Sequence, residues 1–362
     1  MTKEIYDPKK PFNEKIRELI RSTQPENGPI RVKQFGKRFA VERDAEYWKD
    51  YIELTGSDTV GTKGLLHWQM NTMEYAAQDA FAMVVDDLIE GGFVPAILQN
   101  QILMQEEDER RILDVVEGLT KLCLQNRWKH GEGDSPIIIS GGETAPVNII
   151  RGLEVGVTAS GYVKKGDEIR QNALEGDVII GVESSGIHSN GLSFFRNELF
   201  DKMKMPLSKE MPWGKTIGEE LTIPTNVYLP AIKELIEGLE MDKGVRANRA
   251  IHGMVHITGG GFSKIRELDP TKGLDMEIAH GKLKVHEIFR YAHDELGMDS
   301  GRMYTRFNNG VGYAMAVDPA FVDYSLGILR GRFKAEEIGR TRRGTGRISI
   351  KSQFDSSTVE CR

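Results

Sequence analysis

Residues 73–128 limit the fold more than any other stretch. "MEYAAQDAFAMVVDDLIEGG" sets Ala76, Ala77, Ala80, Phe81, Val84 and Leu88 at helical spacing, and a glycine pair ends the run. "FVPAILQNQILM" follows as a strand. "DERRILDVVEGLTKLCLQNRW" then repeats Ile112, Val115, Val116, Leu119 and Leu122 as an amphipathic helix. A chain that alternates between a helical and a two-residue period must layer helices on a sheet, so an α/β fold is expected. "FNEKIRELIRST" reads as a short helix, residues 29–42 and 50–61 as strands, and "SPIIIS" as a buried strand ending in "GGETAP". A charged, glycine-bearing stretch at 162–177 suggests a boundary. Beyond it, "TNVYLPAIKELIEGL", "VHEIFRYAHDEL" and "PAFVDYSLGILRG" read as helices, and "AIHGMVHIT", "VGYAMAV" and "GRISIKS" as strands.

The 362 residues leave room for two medium domains. Net charge is -6, and the nearest thing to a basic cluster, "GRTRRGTGR" at 339–347, reads as a solvated hairpin turn. No nucleic-acid partner is expected. No apolar run approaches the roughly 20 residues of a membrane span. Cys123 fits a helix core and Cys361 a mobile tail, which gives neither a disulfide framework nor a metal-site spacing. The first residues lack a signal-peptide core, and a cytoplasmic location is expected.

Four glycine-rich segments carry the candidate chemistry: "GSDTVGTKG" (56–64), "SGGETAP" (140–146), "ESSGIHSNG" (183–191) and "HITGGGFSK" (256–264). Successive amides in such loops form concavities that bind phosphate, although glycine also serves ordinary turns. None matches a P-loop or a dinucleotide-binding fingerprint. Asp58, Asp86, Asp87 and Glu143 lie in or near these loops. Carboxylates beside phosphate call for a bridging cation such as Mg2+; the plainer alternatives are a solvated pair at a helix end and a turn-stabilising aspartate. Lys63 is either a point charge for phosphate or a solvated loop lysine. His188 either meets a phosphoryl oxygen or moves a proton, or is bonded locally. His252 and His256, alternating along a strand, read as packed or interface histidines.

Taken in order, "DTVGTK", "DDLIEGGFVP", "GGETA", "GDVIIGVESSGIHSNGLSFFR", "PTNVY", "IHGMVHITGGGF" and "MYTRFNNGVG" resemble the phosphoribosylformylglycinamidine cyclo-ligase (aminoimidazole ribonucleotide, or AIR, synthetase) family over roughly residues 50–320. The resemblance implies a two-domain AIR synthase-like α/β fold: an arm at 1–45, a domain at 46–165 and a mixed α/β domain at 166–362. The 46–165 domain would bind ATP and Mg2+ and join a second copy in a shared β-barrel. The implied reaction is ATP-dependent cyclisation of formylglycinamidine ribonucleotide. It implies metal ligands at Asp58, Asp87 and Glu143 and catalytic roles for His188, Lys63 and Asp58. Gly61, Thr62, Ser184, Ser185, Ser189, Asn190, Thr258, Gly259 and Gly260 would face substrate or phosphate. The chain departs from the family pattern at "IYDPKK" and "VKQFGKRF", at Thr59 where glycine is usual, and at Asp86 where asparagine is usual. Another ATP-dependent enzyme of the same superfamily, or a non-catalytic nucleotide-binding dimer, is the alternative.

Overall fold

The computed structural model describes residues 11–35, 38–131, 133–189, 191–280 and 282–361. Helix α1 (Pro11–Ser22) comes first, and the strand expected at 29–42 is a hairpin of β1 (Ile30–Phe35) and β2 (Arg38–Arg43). One helical turn, α2 (Ala45–Trp48), leads to β3 (Tyr51–Thr59), α3 (Lys63–Met70), α4 (Met73–Glu90) and β4 (Val94–Met104). Helix α5 (Glu109–Gln125), a hairpin of β5 (Arg127–His130) and β6 (Gly133–Pro136), and strands β7 (Ile138–Pro146) and β8 (Leu153–Lys164) follow. The sheet of this half runs β3-β8-β4-β7, with β4 and β7 parallel and the other pairs antiparallel.

Alternation along β8 gives this sheet two unlike faces. Val155, Val157 and Ala159 are buried in one apolar cluster with Val84 and Leu88 of α4. The other face is polar: Thr55 and Ser160 share a hydrogen bond of 2.8 Å, and Ser57 and Thr158 one of 2.9 Å. Helix α4 is buried almost all round because the sheet covers one side and α5 the other. The helices approach closely at Gly118, where a Cβ would stand 2.9 Å from the Ala77 Cβ.

The second half contains β9 (Val178–Glu183), α6 (Leu192–Phe195), α7 (Ile217–Leu221), α8 (Leu229–Lys243), α9 (Ala247–Ala250), β10 (Ile251–His256) and β11 (Leu274–Ala279). It continues with α10 (Glu287–Asp294), α11 (Ser300–Arg306), β12 (Val311–Val317), α12 (Val322–Leu329), β13 (Ala335–Arg343), β14 (Ile348–Lys351) and β15 (Thr358–Cys361). Its seven strands form one sheet in the order β10-β12-β9-β13-β11-β14-β15. Alternate residues face opposite sides. Ile180, Met254 and Met315 join the cluster built on α4, while Ile179, Val255 and Ala314 pack with Phe262 and Ile265 on the reverse. One apolar core therefore runs from the first half into the second.

Three expectations are corrected. "GGETAP" is no loop: β7 continues through it, because the long strand β4 pairs with it as far as Met104↔Pro146. The basic stretch at 339–347 is no hairpin either, since β11 lies between β13 and β14. Asp275 accepts the Thr345 and Arg347 amides at 2.8 and 3.0 Å, which holds that connection to β11. Cys361 is buried in β15 rather than mobile. Among the described residues no helix is long and apolar enough to cross a membrane.

Candidate active site

The turn after β9 is held from several sides. Ser184 Oγ donates to Asn308 Oδ1 at 2.9 Å, and the Asn308 amide donates to the carbonyls of Gly186 and Ile187 at 2.9 and 3.3 Å. His286 Nε2 donates to the Ser184 carbonyl at 2.8 Å. Ser185 Oγ donates to the Pro224 carbonyl at 2.6 Å. His188 sits at φ 62°, a left-handed conformation uncommon for a side-chain-bearing residue. Its Nε2 accepts the Ser185 amide at 3.3 Å. Burial, reinforced by nearby His256 and Lys63, holds its pKa well below the ordinary histidine value, so the ring is neutral. The Ser184 and Ser185 hydroxyls are thus committed within the protein, and Asn190 lies outside the described residues. Asn308 and His286 were not singled out from the sequence. The motif "FNNGVG" was the available signal for Asn308.

Ser189 points to a second cluster. Its hydroxyl donates to Asp79 Oδ1 at 3.3 Å, and Thr225 adds its amide at 2.8 Å and its hydroxyl at 2.5 Å. Lys63 Nζ lies 2.8 Å from Asp79 Oδ2 and donates to the Ile223 carbonyl at 2.5 Å. His67 Nε2 donates to the same carboxylate at 2.8 Å, while Nδ1 accepts from Thr72 Oγ1 at 2.8 Å. Burial works to raise the Asp79 carboxyl, but the Lys63 ammonium and His67 outweigh it and hold it below the usual range. Lys63 was expected in an open loop. It is instead the first residue of α3 and fully buried, with its ammonium engaged by Asp79. Asp79 itself went unnoticed. A lone carboxylate among Ala76, Ala77, Ala80 and Phe81 was the readable sign, because buried charges need partners.

The remaining expected residues are spread more widely. Gly61 donates its amide to Glu154 at 2.9 Å, and Thr62 Oγ1 lies 3.5 Å from Ser193 Oγ. Asp58, on edge strand β3, accepts the Thr59 amide at 2.6 Å. Glu143, on the opposite edge strand β7, accepts the Thr144 amide at 3.1 Å. Register carries Asp58 across to Val157, Asn100 and Gly142, so Asp58 shares the helix-covered face. Glu143 aligns with Gln101 on the polar face. Three strand spacings, roughly 14 Å in all, separate the two edges. Asp87, half-exposed on α4, accepts from His256 Nδ1 at 3.1 Å. No three His, Cys, Asp or Glu side chains gather as a metal site among the described residues, so Asp58, Asp87 and Glu143 do not form one coordination set within a single chain.

His256 ties the halves together, since its backbone amide also donates to Glu90 of α4. Two residues on, Thr258 Oγ1 accepts from Lys264 Nζ at 3.0 Å. Gly259 and Gly260 stand exposed beside it, Gly260 at φ 91°. His252, expected to be packed, donates to Asp177 at 2.9 Å, and that bond raises its pKa above the ordinary value.

Comparison with known proteins adds to this geometry. Residues 175–351 match the family "AIR synthase related protein, C-terminal domain". The chain is 36% identical over 293 residues to phosphoribosylformylglycinamidine cyclo-ligase of Methanothermobacter thermautotrophicus, covering 80% of each protein. It is 31% identical over 298 residues to the Bacillus subtilis protein of the same name, covering 82% of each. A solved structure of hydrogenase maturation protein HypE in complex with ATP superposes with a TM-score of 0.59 at 15% identity, over 96% of this chain and 91% of that one. At that identity the likeness is one of fold.

Proposed function

This chain belongs to the phosphoribosylformylglycinamidine cyclo-ligase family, and on that footing we propose that it converts formylglycinamidine ribonucleotide and ATP to aminoimidazole ribonucleotide, ADP and phosphate, a step of purine biosynthesis. The observation that carries this reading is the 36% identity across 80% of both chains. ATP phosphorylates the formyl amide oxygen and so makes it a leaving group. An amidine nitrogen attacks the activated carbon, the C–O bond breaks, and phosphate departs with that oxygen.

The chain's own contribution is to position the reactants and to set the electrostatics of the site. Amides of Gly186–Ser189 and of Gly259 and Gly260 face phosphate groups, while those of Ser184, Ser185 and Thr258 are bonded to Gly310, His188 and His256. Asn308 and Asp79 fix the first of these segments, and Lys63 serves by holding Asp79. His188, with its neutral buried ring, shapes the turn rather than donating a proton to phosphate. ATP as the nucleotide is supported by the family and by the solved ATP complex of a protein of like fold. Mg2+ is supported by the family resemblance alone, and no step is routed through it. A homodimer with a shared barrel fits the open edge strand β3, on which Ile52 and Leu54 are exposed. We place the enzyme in the cytoplasm, where such biosynthesis runs.

The test is to supply Mg2+, ATP and formylglycinamidine ribonucleotide and follow products by mass spectrometry. Product lighter by one water, formed in step with ADP, is expected. ATP binding without that product would overturn the reading.

A further inference from the structure

A cleft of about 320 Å³ opens where the two halves meet, and no residue of the candidate site lines it. That volume is near the lower end of the range for small-molecule sites. Both halves build its walls. Val94 and Pro95 at the start of β4 and Ile137 before β7 come from the first half, and Leu229 and Pro230 in the first turn of α8 come from the second. These side chains supply apolar surface. Arg127, Lys233, Glu234, Glu237 and Arg332 bring charge to the same cleft.

Pairing leaves one cation over. Arg332 Nε donates to Glu234 at 3.1 Å, Lys129 Nζ to Glu237 at 2.7 Å, and Arg127 Nε to Asp134 at 2.6 Å. Among the described residues Lys233 is in no ion pair, and its ammonium donates to the Arg127 carbonyl. An ammonium has three N–H donors, so two remain for a ligand. Burial lowers the pKa of Lys233, and the charge of Glu237 opposes that only in part, as befits a cation short of counter-charge. The first turn of α8 offers no backbone donor. The Tyr228 and Leu229 amides go to Asp86, those of Ala231 and Ile232 to the Tyr228 carbonyl, and Pro230 has none. One unpaired positive charge beside apolar surface suits a monoanion with an apolar body. Glu234 and Glu237, lining the same cleft, disfavour a dianion.

We propose that this cleft binds a small ionised carboxylic acid, with its carboxylate on Lys233 and its apolar body against Ile137, Leu229 and Pro230. The proposal goes beyond the ring-closing reaction, and its failure would leave that reading untouched. The test is titration of the full chain with benzoate, followed by NMR of isoleucine and leucine methyl groups and by calorimetry. Saturable shifts at Ile137 and Leu229 are expected. Benzamide, the uncharged counterpart, and sulfate, a dianion without an apolar body, should each bind at least about tenfold more weakly. Lys233→Gln keeps a donor for the Arg127 carbonyl but not the charge. It should leave the thermal melt nearly unchanged and weaken benzoate binding about tenfold. Absent shifts at Ile137 and Leu229, equal affinity for benzamide or sulfate, or a folded Lys233→Gln chain that binds benzoate as before would each overturn it.

Discussion

Two carboxylates seven residues apart on α4, both fully buried, have opposite fates. Asp79 accepts from Lys63, His67, Ser189 and Thr225 and stays charged. Among the described residues Asp86 receives only the Tyr228 and Leu229 amides, at 2.9 and 2.8 Å and both on one oxygen, and burial pushes its pKa up to about 7. Burial alone raises a carboxyl; the partners decide whether the charge survives. The pair also divides the labour at the domain junction. Asp79 grips the 184–189 turn and the segment before α8, while Asp86 anchors the first turn of α8 itself.

The contrast can be broken most directly at Asp79. Asp79→Ala strands the Lys63 ammonium without a counter-charge and should cost about 3–5 kcal/mol in urea unfolding. Adding Lys63→Met to it should recover most of that loss, because an apolar pair replaces a half-empty ion pair; a double variant no better than the single would sink the assignment of Lys63 to Asp79. Asp86→Asn keeps the acceptor oxygen and should change stability by less than about 1 kcal/mol. A loss as large as that of Asp79→Ala would erase the distinction. A further effect is a pH dependence. Burial, with the charge of Asp87 adding to it, pushes Glu90 up to about 8. A carboxyl whose folded pKa is raised stabilises fully below its unfolded value of 4.5, and that contribution is lost as pH rises through about 8. Thermal melts should therefore show Tm falling across that window, less steeply in Glu90→Gln.

The helices and most strands were legible because their apolar periods are long and regular, as in α4 and α5. "GGETAP" misled because glycine punctuates turns in a single sequence, whereas here a parallel neighbour, β4, extends the ladder through it. Lys63 misled for a related reason: a lysine among glycines looks solvated until its counter-ion, sixteen residues on, is known. The 184–189 turn was recognisable by its polar residues, yet its locks were not, since Asn308 lies more than a hundred residues away. Local pattern reveals local structure; which buried group answers which is a property of the folded chain.

The reach of Asp79 across the sequence has a kinetic meaning as well. Its partners Ser189 and Thr225 lie 110 and 146 residues downstream. While the chain is being synthesised, α4 emerges with a charge whose full complement of donors has not yet been made. Contacts of such long separation form late and slowly. The first half should therefore emerge as an unfinished body that closes only when the second half arrives, and a chain cut after β8 should stay prone to aggregation rather than fold as a free-standing domain.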